Sequence, residues 1–236
     1  MILERIFPGS VETLDLDDPS SRDRLLELYR PPRGEWLRLN LIVSVSGAAH
    51  GSDGTSETLS NPADRRILGV IRELADVVLV GAQSVRAEGY LRPKRARLAI
   101  LTASGDLAGH RIAAGDGPPV IVLCPETVVD RVRDALPEAE IIAIDAPTGS
   151  IPVRTAVAAL RAAGLSSIVC EGGPALAGQV VDAGLADEFC LATSARIGGA
   201  PFPVLGGATV AEHRVELTQL LRDETSGLYA RWAVIG

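Results

Sequence analysis

Runs of aliphatic and β-branched residues alternate with amphipathic segments along most of the chain. The apolar runs, which are typical of buried strands, are WLRLNLIVSVSG, DVVLVG, RLAILT, PVIVLC, EIIAI, SIVCEGG and EFCLATS. Segments with apolar positions three or four residues apart predict helices, and these are NPADRRILGVIREL, AQSVRAEG, ETVVDRVRDAL, VRTAVAALRAAG and PALAGQVVDAG. Because strands this apolar need cover on both faces, the alternation predicts an α/β fold with a mostly parallel sheet between helices.

The best-defined of these helices begins after Asn61. Asn61 is a favourable N-cap and Pro62 suits the first helical position, while Ile67, Ile71 and Leu74 fall on one helical face. We therefore expect this helix to pack on the sheet as a crossover between two parallel strands.

The two ends of the chain depart from the alternation. The segments HRVELTQLLRD and GLYARWAVI flank ETSG, which predicts an antiparallel C-terminal hairpin and makes the sheet mixed. Residues 1–36 hold an acidic lead-in, a short helix candidate SSRDRLLELYR with Ser20 or Ser21 as its cap, and the break PPRGEW. We expect an N-terminal arm over 1–36 and one domain over 37–236.

Composition and charge narrow the class of partner. A net charge of −7 and an aromatic content of 3% argue against nucleic acid and favour a small molecule. The N-terminus lacks a basic and apolar leader, and every apolar run is shorter than the roughly 20 residues that span a membrane. The three cysteines form no CxxC pair, and the histidines lack metal-ligand spacing. We expect a cytoplasmic protein with reduced thiols, no membrane contact and no metal.

The segment CEGGPALAG places a carboxylate and two glycines where a predicted strand meets a helix. Ligands of open α/β sheets bind beyond the carboxyl ends of the strands, and a helix N-terminus favours an anion. Gly172 and Gly173 permit close approach of the backbone, and Pro174 suits the start of the helix. The alternative is a tight structural turn in which Glu171 serves only the helix N-terminus.

Other segments carry candidate polar groups. The turn VGAQSVRAEGY offers Ser84 and Glu88 after a second strand, so the two turns could share one cleft. The basic loop RPKRAR could hold a phosphate, and SGAAHGSDGTSETLSNPADRR is long enough to be a substrate loop. Each also has an ordinary structural explanation: a surface serine, a solvated carboxylate, a solvated basic loop.

From about Trp36 onward, the chain resembles the reductase domain of bacterial riboflavin biosynthesis proteins, in particular stand-alone pyrimidine reductases. The resemblance rests on the order and spacing of four segments, NLIVSVSG, NPADRR, IRELADVVLVGAQSVRAEGY and CEGGPALAGQVVDAGLADEF. The resemblance implies a three-layer dihydrofolate-reductase-like fold, NADPH as cofactor and a homodimer. It further implies reduction of 5-amino-6-(5-phosphoribosylamino)uracil to the ribityl form, by hydride transfer from the nicotinamide to the sugar C1 of an open-chain imine.

The resemblance also implies site residues. Those on the substrate side are Ser56, Arg72, Arg92, Arg95 and Glu171, with Glu171 the catalytic candidate because it could position the substrate or assist proton transfer. Those on the cofactor side are Ile42, Thr58, Ser84, Glu88, Thr102, Ala103, Ser104, Gly173, Pro174, Ala175, Leu176, Ala177, Gly178 and Gln179.

The chain departs from the family pattern at three places. Ser46 and Glu88 stand where the family usually has aspartates, and the basic loop is shorter than the family's loop, which helps to grip the ribose phosphate. Two alternatives follow: a pterin reductase of the dihydrofolate type, and a non-catalytic NADP-binding protein. For Arg72 and Glu171, a purely structural ion pair is the alternative to a substrate site.

Overall fold

The computed structural model describes residues 1–113, 117–207 and 209–235. The strands are β1 (Ile2–Phe7), β2 (Glu12–Asp15), β3 (Trp36–Ser44), β4 (Ala48–His50), β5 (Val77–Gly81), β6 (Arg97–Leu101), β7 (Ile121–Pro125), β8 (Glu140–Ile144), β9 (Ser167–Gly172), β10 (Glu188–Ser194), β11 (Ala200–Pro203), β12 (Arg214–Asp223) and β13 (Leu228–Ile235). The helices are α1 (Ser20–Tyr29), α2 (Pro62–Glu73), α3 (Ala82–Ala87), α4 (Val129–Ala135), α5 (Val153–Ala162) and α6 (Pro174–Asp182), and a 3₁₀ turn, Glu126–Val128, precedes α4.

One mixed sheet organises the fold. Its 11 strands lie in the order β2-β1-β12-β13-β10-β3-β9-β5-β6-β7-β8, and β4 pairs with β11 in a separate two-stranded sheet. The strands from β10 through β8 in this order are parallel to their neighbours. The remaining strands are antiparallel, and β12 and β13 form the predicted hairpin. The prediction of a mostly parallel sheet with an antiparallel C-terminal hairpin is confirmed.

Helices cover both faces of the parallel part of the sheet. Side chains alternate along a strand, so Val78 of β5 enters the core beneath α2 with Ile71, while Leu79 enters the core beneath α5 and α6 with Val157 and Val180. All of these side chains are buried. The result is the expected arrangement of three layers.

The first 36 residues contain two strands that the sequence analysis did not predict. Strand β1 pairs with β12, and β2 pairs with β1, so both extend the main sheet at its antiparallel edge. The expected cap of α1 is wrong: Pro19 occupies the N-cap position without a side-chain hydrogen bond, and the Ser21 hydroxyl donates instead to the Asp15 carbonyl at 2.6 Å. The division of the chain at residue 36 stays a prediction.

A buried charge network holds the end of α1 to the sheet. Glu188 of β10 accepts hydrogen bonds from Arg38 of β3 and from Arg231 of β13. Arg38 also donates to the Tyr29 carbonyl at 2.7 Å, and Arg231 donates to the Leu28 carbonyl. Because the last carbonyls of a helix lack partners within the helix, these arginines both satisfy α1 and fix it in place. No helix among the described residues is long and apolar enough to cross a membrane.

Candidate active site

A cavity of about 360 Å³ lies beside the carboxyl ends of β3, β9 and β5. This is the edge at which open α/β sheets bind ligands. Its walls come from β3, β4, α2, α3, the loop between β4 and α2, the segment after α3, the turn between β9 and α6, and Val204. The lining residues are Asn40, Leu41, Ile42, Ala49, His50, Ser56, Glu57, Ser60, Asp64, Arg65, Leu68, Gly69, Arg72, Ser84, Glu88, Gly89, Tyr90, Leu91, Glu171, Gly173, Pro174 and Val204.

A buried ion pair forms one wall of the cavity. Arg72, in the last turn of α2, donates through Nε and Nη2 to the two carboxylate oxygens of Glu171, both at 2.7 Å. The Arg72 side chain is 18% exposed and that of Glu171 is 8% exposed. Such a bidentate geometry fixes the orientation of the carboxylate as well as its charge. The pair is therefore structural and, at the same time, part of the cavity wall.

Tyr90 completes this arrangement, although no pattern in the sequence indicated it. Its hydroxyl donates to Glu171, and the Arg72 guanidinium lies 5.2 Å from the centre of its ring. Burial, followed by the charge of Glu171, raises the pKa of Tyr90 well above its ordinary value, so the phenol remains a hydrogen-bond donor at neutral pH. Glu171 is thus held by three donated hydrogen bonds at the cavity wall.

A second carboxylate secures the loop over the cavity. Glu88, directly after α3, accepts hydrogen bonds from the Ser56 backbone N–H at 2.9 Å and from the Ser56 hydroxyl at 3.0 Å. Within the same loop, Asp53 accepts hydrogen bonds from Thr55 and from the Thr58 hydroxyl. Ser56 and Glu88 therefore line the cavity as a linked pair, whereas the Thr58 side chain serves the loop.

A third carboxylate, Asp64, was also missed from the sequence. It accepts a hydrogen bond from the Ser60 hydroxyl at 2.7 Å, and burial raises its pKa. The prediction that Asn61 caps α2 is confirmed, because its side chain accepts the Asp64 N–H at 2.9 Å. A signal was present: Asp64, Leu68 and Arg72 are spaced by four residues, which places them on one helical face.

The two glycine-containing turns meet at this cavity, as expected. The Gly173 N–H donates to the Ser84 hydroxyl at 2.8 Å. A Cβ atom at Gly173 would lie 3.0 Å from the Ser84 Oγ, so a larger residue there would have to displace the Ser84 side chain. The left-handed backbone conformation falls on Gly172, whose φ is +90°. Proximity to the neighbouring turn, not positive φ, is what restricts Gly173.

Part of the predicted cofactor set lies outside the cavity. Gly173 and Pro174 line it, but Leu176, Ala177 and Gly178 are buried, and a Cβ atom at Gly178 would lie 2.3 Å from the Leu205 carbonyl oxygen. These three residues pack against the rest of the fold and do not face the cavity. Among the other predicted cofactor residues outside the cavity, Ala175 and Gln179 of α6 are exposed, and so are Ala103 and Ser104, which follow β6. Thr102, directly after β6, is buried.

The basic loop does not reach the cavity. Arg92 lines a separate cavity of about 460 Å³ with His110 and Glu138. Arg95 is 75% exposed and pairs with Glu73 at 3.1 Å. The structure therefore does not bring these two arginines into the cavity lined by Arg72, and their expected contact with the substrate stays a prediction. Nothing in the charge pattern of RPKRAR indicated which way the loop turns.

The ends of three neighbouring strands form a continuous row. Val80 pairs with Gly172, and Gly81 pairs with Leu101, so the turns after β9, β5 and β6 lie side by side at the spacing of neighbouring strands. The start of α6 favours an anion there. Beyond β6, Arg131 of α4 donates to the Ser104 carbonyl at 2.8 Å, which brings a cation to the far end of the row.

Comparison with known proteins agrees with this architecture. The family model described as the RibD C-terminal domain matches residues 35–226. The riboflavin biosynthesis protein RibD of Mycobacterium tuberculosis is 31% identical over 164 residues, which cover 65% of this chain and 43% of that protein. The chain thus matches less than half the length of this relative.

Solved structures share the fold at low sequence identity. A pyrimidine reductase-like protein from Corynebacterium diphtheriae has a TM-score of 0.73 at 22% identity, covering 90% of this chain and 99% of that one. A deaminase/reductase from Thermotoga maritima has a TM-score of 0.71 at 18% identity, covering 92% and 62%. A riboflavin biosynthesis reductase from Saccharomyces cerevisiae has a TM-score of 0.65 at 15% identity, covering 90% and 98%.

Proposed function

The chain belongs to the RibD C-terminal domain family, and from this premise we propose that it is an NADPH-dependent reductase of riboflavin biosynthesis. Its substrate is 5-amino-6-(5-phosphoribosylamino)uracil, whose ribosyl group becomes a ribityl chain. The observation that carries the proposal is Glu171, held by Arg72 and Tyr90 in the wall of a cavity where two strand-end turns meet.

The row of strand ends supports a nicotinamide dinucleotide as cofactor. When bound, the nicotinamide supplies the hydride. The start of α6 at Gly173 and the Ser84 hydroxyl suit the pyrophosphate, and Thr102 to Ser104 with Arg131 suit the adenosine phosphate that distinguishes NADPH from NADH. Ile42 lines the cavity near this row, as the resemblance implied.

The cavity residues favour reduction of a carbon–nitrogen double bond. An imine accepts hydride more readily when its nitrogen is protonated, and the fixed negative charge of Glu171 stabilises the resulting cation. Asp64, whose pKa is raised by burial, is the carboxyl group best suited to hold a proton at the cavity wall. The loop anchored by Ser56 and Glu88 forms part of the wall of this region.

We also propose a homodimer that forms through the hairpin face, defined as Phe189, Val215, Leu217, Trp232 and Val234. Phe189 pairs with Trp232, which pairs with Leu217, and Val215 pairs with Val234, so the five side chains share one sheet face. Val215 is 43% exposed and the other four are half-buried. Sedimentation of the wild-type protein as a dimer, and of Val215→Asp as a monomer, would support this assembly. A wild-type monomer would refute it.

The cytoplasm is the proposed location, supported by three cysteines, Cys124, Cys170 and Cys190, that are buried free thiols. Quantitative recovery of the protein in the soluble cell fraction with all three thiols reduced is expected. Recovery in the membrane or secreted fraction would contradict this location.

The direct test of the activity follows NADPH oxidation with purified protein and each candidate substrate. We expect turnover with 5-amino-6-(5-phosphoribosylamino)uracil and none with dihydrofolate. Turnover of dihydrofolate alone would favour the pterin reductase. Tight NADPH binding without turnover of either compound would favour a non-catalytic nucleotide-binding protein.

A further inference from the structure

The cavity wall carries more carboxylates than cations, which matters for a phosphorylated ligand. Its carboxylates belong to Glu57, Asp64, Glu88 and Glu171, and the arginines that line it among the described residues are Arg65 and Arg72. A phosphate dianion entering this cavity needs a cation as its partner. The choice between the two arginines decides where the phosphate end of the substrate lies.

Arg72 is committed to another partner. Both carboxylate oxygens of Glu171 accept hydrogen bonds from it, and both side chains are largely buried. Moving Arg72 toward a phosphate would leave Glu171 as a buried carboxylate without its cation, which is strongly unfavourable. Arg72 therefore stays with Glu171 when a ligand binds.

Arg65 is in the opposite situation. It lies one turn after the start of α2, and its side chain is 54% exposed. Its partner, Glu57, belongs to the loop over the cavity and is 71% exposed. An ion pair this exposed contributes little to stability, so the guanidinium can exchange Glu57 for a phosphate at small cost.

We propose that Arg65 binds the phosphate of the substrate and that Glu57 holds this arginine in place until the substrate arrives. The inference rests on the proposed function for the identity of the substrate. It assigns to Arg65 the phosphate contact that the resemblance implied for Arg92 and Arg95, neither of which lines this cavity. The pyrimidine and ribose then extend inward from the cavity mouth toward Glu171.

The test compares the phosphorylated substrate with its dephosphorylated form. Loss of the contact between the guanidinium and the phosphate should lower kcat/KM of Arg65→Met for the phosphorylated substrate by about 10- to 100-fold, mostly through KM. The dephosphorylated substrate should lose less than about 3-fold, because its reaction does not use Arg65. Arg66→Met is the matched control, since Arg66 is the neighbouring arginine of α2 and does not line the cavity. It should change neither value.

A second variant tests the exchange of partners. Glu57→Gln removes the competing carboxylate, so the KM for the phosphorylated substrate should fall several-fold at low salt. Equal losses with both substrate forms in Arg65→Met, or no loss with either, would overturn the inference.

A binding measurement separates this inference from the proposed function. If the wild-type protein reduces neither form of the substrate, the proposed function fails, and ribose 5-phosphate becomes the probe for titration calorimetry. Binding to the wild type that weakens at least about 10-fold in Arg65→Met but not in Arg66→Met would uphold the phosphate contact. Equal binding by all three proteins, or no binding by the wild type, would overturn it.

Discussion

Removing the charge of Glu171 should affect stability and catalysis together, because the carboxylate is both a buried ion-pair partner and part of the cavity wall. In Glu171→Gln, Arg72 keeps its charge but loses a carboxylate that it contacts at 2.7 Å through two hydrogen bonds. Removing one partner of a buried ion pair lowers the free energy of unfolding by about 3 kcal/mol or more. Because the Arg72 side chain is 18% exposed, we expect the loss here to be no larger than about 3 kcal/mol. For a protein of this size, such a loss lowers Tm by about 6 to 12 °C.

Glu171→Gln should also slow catalysis. Loss of the fixed anion beside the imine should lower kcat/KM about 100-fold, which corresponds to about 2.7 kcal/mol of transition-state stabilisation. Affinity for NADPH should stay within about 2-fold, because the Glu171 carboxylate contacts Arg72 and Tyr90 and none of the groups assigned to the dinucleotide. Arg72→Met should also lower both Tm and kcat/KM.

The assay combines thermal unfolding, NADPH titration and steady-state kinetics on the two single variants and the double variant. Since the two residues contact each other, the double variant should lose about 1 to 3 kcal/mol less stability than the sum of the single losses. Arg95→Met is the control, because it removes an exposed ion pair and should change stability by less than about 1 kcal/mol. Variants that unfold earlier but keep full kcat/KM would refute the catalytic role of Glu171.

Three further predictions follow from other contacts. Gly173→Val should weaken NADPH binding by about 10-fold or more while lowering Tm only slightly, because the new side chain meets the Ser84 hydroxyl, 3.0 Å from the Cβ position; an unchanged Kd with a sharply lower Tm would show a purely structural turn. Titration should show tighter binding of NADPH than of NADH by about 2 kcal/mol, and Arg131→Met should reduce that preference; equal affinities for both cofactors would remove the claim. Burial opposes ionisation of Asp223, but hydrogen bonds from Tyr229, Gly227, Thr225 and Asn61 outweigh it and lower the pKa of Asp223, so the stability that its carboxylate contributes is complete above the ordinary pKa of 3.8 and is lost as the pH falls through the lowered pKa. Denaturant titrations at several pH values should show that Asp223→Asn is less stable than the wild type at neutral pH and loses less stability as the pH falls; an equal loss of stability in acid would contradict this.

The parallel half of the sheet could be predicted because its signals are local. Strand β8 covers Glu140–Ile144 and β10 covers Glu188–Ser194, as their apolar patterns indicated. Strands β1 and β2 could not be predicted in this way, since ILERIF and ETLD carry charges; β1 forms by pairing along β12, far away in the sequence, and β2 then pairs with β1. Pairing between distant segments has no local signature.

The candidate site was predictable to a similar extent. Family resemblance indicated Arg72 and Glu171, which are 99 residues apart in the chain and in contact in the structure. Tyr90 was missed because a single tyrosine after a turn has no pattern of its own, and only the fold brings it to Glu171. Arg92 illustrates the converse, because its charge indicated an anion but not the direction in which the loop carries it, and it lines a separate cavity.

The central claim is that this cavity brings the nicotinamide to the sugar carbon of a ribosylamino-pyrimidine, and isotope transfer tests it most directly. The protein is incubated with 5-amino-6-(5-phosphoribosylamino)uracil and NADPH deuterated at the hydride-donating carbon, and the product is analysed by mass spectrometry and NMR. We predict one deuterium per product molecule, located on C1 of the ribityl chain. Label on any other carbon, or recovery of unreduced substrate beside a protein that binds NADPH tightly, would contradict the account.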